Sequence, residues 1–256
     1  MYDPQLDTRK AKNISDTTYH IYNNTIASTV QNVDIYKDLG VIFDPHLTFK
    51  DHLEEKINKA YRIIGLIKRN FINVDAKTFT LLYKALVRPH IEYANSVWHP
   101  YKKKDIETIE KVQKRATKLV ISVRKSTYKD RLIELNLHTL KYRRIRGDMI
   151  EVFKIIKQKY DPFVVPELLP SSYNATRGNI YKLLNHSFHS NLRKFYFTAR
   201  VVNIWISLPD YVVAADCVNT FKTRLDKYWK DQDVMYDWTS EITGTGDRSE
   251  YILEST

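Results

Sequence analysis

A single cysteine, Cys217, and only 6 glycines and 8 prolines occur in the 256 residues of this chain. One cysteine excludes an internal disulfide and any zinc site built from several cysteines. Glycine and proline fall well below their usual shares of about 7% and 5%, which disfavours an architecture of short strands and tight turns and favours long helices. No stretch approaches the roughly 18 apolar residues of a membrane span. The opening MYDPQLDTRK carries charges and a proline where a secretory leader needs an apolar run. The expectation is therefore a soluble intracellular protein, of the nucleus or the cytoplasm, with no membrane partner.

Chemistry is equally sparse. No two aspartates are adjacent anywhere, so the local carboxylate pair that could hold two metal ions roughly 3.5–4 Å apart is missing. A glycine elbow for a serine nucleophile and a glycine-rich phosphate loop are missing too. Asp44, His46, Asp51 and His52 come nearest to a metal cluster. The first two flank Pro45, however, and the second two open a helix, where a carboxylate serves the helix dipole. His186 and His189 are spaced like zinc ligands but have no acidic neighbour, so a surface loop is the plainer reading. Cys217 has no close histidine and reads as a helix-start or core residue. We assign no catalytic residue and no metal ligand.

What the sequence does contain is a core and a concentrated positive charge. At 43% hydrophobic residues the chain can bury a sizeable interior. The net charge is +11, and residues 101–146 hold 15 Lys and Arg against 5 Asp and Glu, so nearly all the excess lies in under a fifth of the length. Such a local field favours a polyanionic partner. Within it, YKKKDIETIEKVQKRATKLVISVRK places Lys102, Lys103 and Lys104 at a helix start, with Lys111, Lys114, Arg115 and Lys118 mostly off the apolar face. KYRRIRGD adds Lys141, Arg143, Arg144 and Arg146 at the start of the next long helix. Both groups are expected to neutralise phosphates without reading bases, and Trp98, Tyr101 and Tyr142 border them as possible stacking surfaces. Solvated helix faces and buried aromatic anchors are the bland alternatives.

Periodicity places the elements. Residues 1–17 are polar and without period. Tyr19, Ile21 and Ile26 alternate around NN, predicting a hairpin, and a strand follows over Lys37–Phe43. The period then turns helical: about Phe49–Asn70 behind the cap Thr48, a helix from the cap Asp75 that Pro89 should kink near Val87, about Lys103–Ser122, Tyr128–Leu135 opened by Thr127 and Asp130, and about Leu140–Lys157. DPFVVPELLPSS reads as a linker, FYFTARVVNIWISLP and NTFKTRLDKYW as two more amphipathic helices, and the polar end as a disordered acidic tail. No internal repeat is evident. The expected class is mainly α: strands over 18–48, a helical bundle over 49–160, a linker over 161–175, a smaller helical segment over 176–232 and a tail over 233–256.

Three stretches carry a resemblance. YKDLGVIFDPHLTFKDHLEEKINKAYRIIGLIKRNF, LLYKALVRPHIEYANSVWHPYKKKDIETIEKVQKRATKLV and RLIELNLHTLKYRRIRGDMIEVFKI look like the C-terminal part of jockey-like non-LTR retrotransposon reverse transcriptases. RVVNIWISLPDYVV with NTFKTRLDKYW is similar to their last segment, and the resemblance covers about Tyr19 to Trp229. It implies that KDLGVIFD closes the polymerase palm, with Asp44 ending its last strand outside the catalytic pair, and that the following helices form a thumb. The catalytic FADD or YADD box of that family is not in this chain. The resemblance thus implies a reverse-transcriptase remnant that keeps the thumb and the C-terminal helices, without catalysis of its own or a cofactor; magnesium would belong to the missing palm. Its implied partner is an RNA or RNA–DNA template–primer duplex, with self-association through newly exposed apolar faces as a second consequence. A non-enzymatic helical scaffold binding nucleic acid or protein is the alternative.

Overall fold

The structure, a computed structural model, describes residues 19–23, 26–30, 33–171, 179–185, 187 and 191–244. It divides into two compact units, Met1–Thr48 and Phe49–Thr256. The chain is mainly helical, with its β structure at the N-terminal end.

In the first unit, β1 (Tyr19–Asn23) pairs antiparallel with β2 (Ile26–Val30), from Tyr19 opposite Val30 to Asn23 opposite Ile26. The single strand expected over Lys37–Phe43 is instead a second hairpin of β3 (Tyr36–Asp38) and β4 (Val41–Phe43), with Asp38 opposite Val41. Leu39 and Gly40 make the turn at φ 44° and 80°. Positive φ at both central residues matches the right-handed twist of paired strands, so one glycine where the backbone needs it splits the apolar run. Beyond β4, Asp44 shapes a turn. Its Oδ1 accepts from the amides of His46 at 3.0 Å and Thr48 at 3.1 Å, and its Oδ2 accepts from the Thr48 hydroxyl at 3.1 Å. A short acid that bonds the backbone two residues on is the standard chemistry of an Asx turn.

The second unit opens with α1 (Lys50–Asn70), whose Leu53, Ile57, Ala60, Ile64 and Ile67 form one buried stripe. Its cap is Phe49 in the left-handed region, not Thr48, whose amide already faces Asp44. Asp75 caps α2 (Ala76–Leu82) as expected, accepting from the amides of Lys77 and Thr78. A π-helical turn, Tyr83–Val87, joins α2 to α3 (Arg88–Glu92). Pro89 cannot donate, and its ring crowds the carbonyl one turn back; widening the turn just before it relieves both. The same turn sets what is buried. Phe79, Tyr83, Val87 and Ile91 recur every four residues and are each at most 1% exposed. A four-residue repeat drifts off one face of a 3.6-residue helix, and the π turn takes up the drift. Leu86, on the buried face by α-helical arithmetic, is 47% exposed.

After the short α4 (Asn95–Trp98), α5 (Lys103–Thr117) buries Ile109, Val112 and Ala116 and passes into turns that bury Val120 and Val123. Thr127 caps α6 (Tyr128–Glu134) and Thr139 caps α7 (Leu140–Ile156). α7 is the central helix. It packs against α4, α5 and three later elements: α9 (Phe197–Ser207), α11 (Val218–Tyr228) and a 3-10 turn at Asp233–Met235. Short helices α8 (Asn191–Phe195) and α10 (Asp210–Val213) complete the set. The core therefore runs from Tyr142, Met149 and Phe153 of α7 to Val201, Trp205, Phe221 and Trp229, and on to Val234, Met235 and Ile242.

Two organisational expectations change. The C-terminal helices do not form a smaller segment apart from the bundle; they share its core across α7. Residues 233–244, expected to be tail, contribute Val234 at 0% and Ile242 at 9% exposure. Three apolar side chains in a polar stretch suffice for this when the surface they meet is already apolar. The remaining residues of that expected tail lie outside the described residues, as do 1–17.

Candidate nucleic-acid interface

The first basic group lies where a partner could reach it. At about 100° per residue, Lys104, Lys111, Arg115 and Lys118 fall within an arc of about 60° on α5 and its C-cap. All four are exposed, as are Lys102 and Lys103 at the helix start. Their opposite face buries Ile109, Val112 and Ala116, so packing of the helix aims the cations outward. Lys102 is the N-cap and its side chain makes no cap hydrogen bond; the lysines there add to the positive end of the helix dipole. Lys111 is shared with Glu107 at 3.0 Å, an exposed i,i+4 pair that water largely screens.

Aromatic rings border this stripe. Lys114, half-buried, holds its ammonium 5.3 Å from the Tyr128 ring and 4.6 Å from the Trp238 ring. The Arg115 guanidinium lies 5.2 Å from the Tyr61 ring of α1. Arg124, Lys125 and Lys129, which sequence reasoning left out, are also exposed just beyond α5. Their signal was available, since they continue the same charge run, but no helical period connects them to it.

The second basic group is buried or half-buried and turned toward other groups of the protein. Lys141 is 7% exposed and donates to the Ser240 carbonyl and the Glu241 carboxylate, both at 2.7 Å. Arg143 grips Glu92 with two nitrogens, one of them at 2.9 Å, and Arg146 grips Asp226 in the same way, at 2.5 and 2.7 Å. Arg144 is 1% exposed. Burial pushes its pKa down, while Glu110, Glu92 and Asp148 act through space in the opposite direction. Among the described residues its guanidinium nitrogens have no hydrogen-bond partner. A buried side chain cannot meet a phosphate outside, and a guanidinium already forked onto a carboxylate has spent its best geometry. Lys141 and Arg144 therefore belong to the interior, against the expectation that they extend the basic surface, while Arg143 and Arg146 are half-buried and already committed to Glu92 and Asp226.

A polar web joins them to the neighbouring helices. Asp148, one turn on from Arg144, accepts from Arg200 of α9 through two nitrogens at 3.0 Å and pairs with His99 at 3.1 Å. Burial pushes its carboxyl up, but His99 and Arg200 outweigh that and hold it below the usual range. Arg200 also donates to the Ser96 carbonyl at 2.8 Å, so one carboxylate ties α4, α7 and α9 together. Glu110 of α5, its pKa raised by burial, accepts from the Tyr128 hydroxyl at 2.5 Å and from the Leu140 amide at 3.1 Å. Gln113 accepts from Tyr83 at 2.6 Å and donates to Tyr128 and to the His138 carbonyl. This is how a basic helix can pack against a core: Lys141, Arg143 and Arg146 meet carboxylates directly, and Arg144 is offset by Glu110, Glu92 and Asp148 through space.

The stacking residues sort the same way. Trp98 and Tyr142 are each 1% exposed and cannot meet a base. Tyr101, at 37%, is stacked on Phe195 with centroids 4.4 Å apart. The candidate metal residues do not assemble: Asp44 shapes its turn, and His52, 0% exposed, packs on the Trp98 ring at 5.4 Å. His186 and His189 lie outside the described residues. Among the described residues, no group of three or more His, Cys, Asp or Glu could hold a metal ion. Cys217 caps α11, its sulfur accepting from the Thr220 amide. A cavity of 370 Å³ between α4, α7, α9 and residues 160–166 is lined by Glu151 and Asp161 and by no Lys or Arg, so it does not suit a polyanion.

Comparison with known proteins adds little to the geometry. The chain is similar to an uncharacterized protein of Caenorhabditis elegans, 26% identical over 126 residues that cover 48% of this chain. It spans 64% of the length of that curated relative. No protein-family model matches, and no solved structure matches. Among the described residues, no helix is long and apolar enough to cross a membrane.

Proposed function

We propose that this chain is the thumb-like helical part of a jockey-like non-LTR retrotransposon reverse transcriptase, and that it holds an RNA or RNA–DNA template–primer duplex by its backbone without catalysing synthesis. The observation that carries the reading is the outward stripe of Lys104, Lys111, Arg115 and Lys118, with Lys102 and Lys103 exposed at its helix start, seated on a helix whose other face is core. Sequence-independent cation–phosphate contacts are what a surface needs when a duplex must slide through it. The resemblance of the ordered sequence stretches supplies the family, and the absence of an adjacent aspartate pair from this sequence argues against synthesis by this chain. The setting is intracellular, nuclear or cytoplasmic, where such duplexes occur.

A salt titration of duplex binding by gel shift tests the proposal. Four phosphate contacts predict a loss of about a hundredfold in affinity between 50 and 200 mM salt. Binding indifferent to salt, or absent at low salt, overturns the grip. Nucleotide incorporation above blank, with magnesium and a homopolymer template, would instead make the chain a polymerase.

A second reading, a helical interaction scaffold, has its own observation. Ile72 is 86%, Leu81 63% and Leu66 49% exposed, apolar side chains that a partner or a second copy would cover. Sedimentation at rising concentration checks it: self-association supports it, and a monomer throughout removes it.

A further inference from the structure

We propose that Trp238 is a stacking platform for an unpaired nucleobase, and that the α5 stripe with its aromatic borders accommodates a single nucleic-acid strand, such as the overhang of a duplex. The proposal rests on the nucleic-acid reading above and narrows it. Three features of the structure lead to it.

The first is the order of residues around α5. At about 100° per residue, Lys111 and Lys118 lie between Lys114 on one side and Arg115 on the other. Lys114 is bracketed by the Tyr128 and Trp238 rings and Arg115 by Tyr61. Cations thus form the centre of a strip and rings form both edges. On a helix about 10–12 Å in diameter, that arc is about 10 Å across, enough for one sugar–phosphate backbone. A cationic track beside rings is how sequence-tolerant single-strand binding is built.

The second is exposure. All four tryptophans are described, and Trp98, Trp205 and Trp229 are at most 2% exposed, whereas Trp238 is partly exposed. The indole nitrogens of Trp98 and Trp205 donate to the carbonyls of Tyr93 and Tyr181. Trp238 stands apart from these buried anchors, at the edge of the basic strip.

The third is rigidity. The segment that carries Trp238 is tied down on both sides. Asp237 accepts from the Thr239 amide and hydroxyl and from the Ser240 hydroxyl. Lys141 holds the Ser240 carbonyl and Glu241, and Gln232 accepts from the amide and hydroxyl of Thr243. A ring already held in place loses little freedom on binding, which is the general benefit of preorganisation. It also gives the inward-facing Lys141 a function in the interface it does not touch: it anchors the segment that presents the ring.

The test uses the full chain with a 12-nucleotide oligouridylate, a blunt 12-base-pair RNA–DNA duplex and the same duplex with a four-nucleotide overhang. Oligouridylate is expected to quench the accessible part of the tryptophan fluorescence and to shield it from acrylamide. Trp238→Ala is expected to weaken oligouridylate binding about tenfold and to remove the advantage of the overhang, with blunt-duplex affinity within about twofold of wild type. Trp238→Tyr is expected to restore most of the loss. Equal single-strand binding by Trp238→Ala and wild type, with the duplex still bound, overturns the platform and leaves the duplex grip standing. Failure of the blunt duplex to bind while Trp238-dependent single-strand binding persists overturns the grip and keeps the platform. Should Trp238→Ala fail to fold by circular dichroism, the acrylamide experiment on wild type decides: no shielding by oligouridylate overturns the proposal.

Discussion

Residues 102–118 and residues 141–146 look alike as text. Each is a run of lysine and arginine interrupted by apolar residues, and each lies at or within a helix. In the fold they part. The first run covers a helix packed on one side, and its cations meet solvent. The second opens a helix packed on several sides, and its cations meet Glu92, Asp226 and Glu241, which lie 51, 80 and 100 residues away. Charge density along a chain is therefore a poor guide to charge on a surface. What separates the two runs is how many neighbours each helix has.

That contrast predicts opposite responses to substitution. The largest effect is expected for Asp148→Asn, which leaves Arg200 and His99 in the interior without their carboxylate. Losing one partner of a buried pair costs about 3–5 kcal/mol, readable as a shift in the urea midpoint, and a shift under 1 kcal/mol would mean this web is not the tie between α4, α7 and α9. Arg143→Gln should follow at about 2 kcal/mol, because among the described residues Glu92 then keeps Arg88 beside it, at 3.5 Å. Its duplex binding should keep the wild-type salt slope; a shallower slope would return Arg143 to the interface.

Acid should act on the inner region first. Burial holds the imidazoles of His90, His99 and His138 below the ordinary histidine value, in His99 against the pull of Asp148. A group with a lowered folded pKa binds fewer protons folded than unfolded, so stability is full above about pH 6.5 and declines as the pH falls below it. Asp148, also held low, extends the loss to still lower pH, while Glu110, held high by burial, opposes it there. Thermal melts should show a Tm that drops between pH 7 and 5, with a smaller drop in His99→Asn; an unchanged Tm would contradict the burial of these histidines.

The smallest stability change belongs to the outer stripe. Lys111→Gln and Lys118→Gln should each stay within about 0.5 kcal/mol of wild type. The same substitutions should reduce the salt slope of duplex binding by about 0.9 per cation. A destabilised Lys118→Gln with an unaltered slope would erase the distinction between the two runs.

Much of this molecule was legible without coordinates. The stripe of α1, the caps Asp75 and Thr127, the span of α7 and the mainly helical class follow from local rules: a 3.6-residue period, short polar caps, and few glycines or prolines. Even the disturbance at Pro89 was readable, since the reason is a missing amide. The exposed lysines of α5 were readable too, because a narrow apolar stripe opposite them implied one-sided packing. For α7 a hint was present and outweighed. Tyr142, Ile145, Met149, Ile150, Val152 and Phe153 span about 160° of the helix, broader than the roughly 100° stripe of a surface helix.

What local rules could not reach was decided by residues distant in the chain. Which carboxylate meets Arg143 or Arg146, and whether residues 233–244 trail or pack, depend on contacts that form after the elements do. Periodicity constrains a side chain only relative to its own helix axis, because backbone geometry is local. Burial and ion pairing depend on which surfaces finally meet, and for the charges of α7 those surfaces come from α3, α11 and the C-terminal segment.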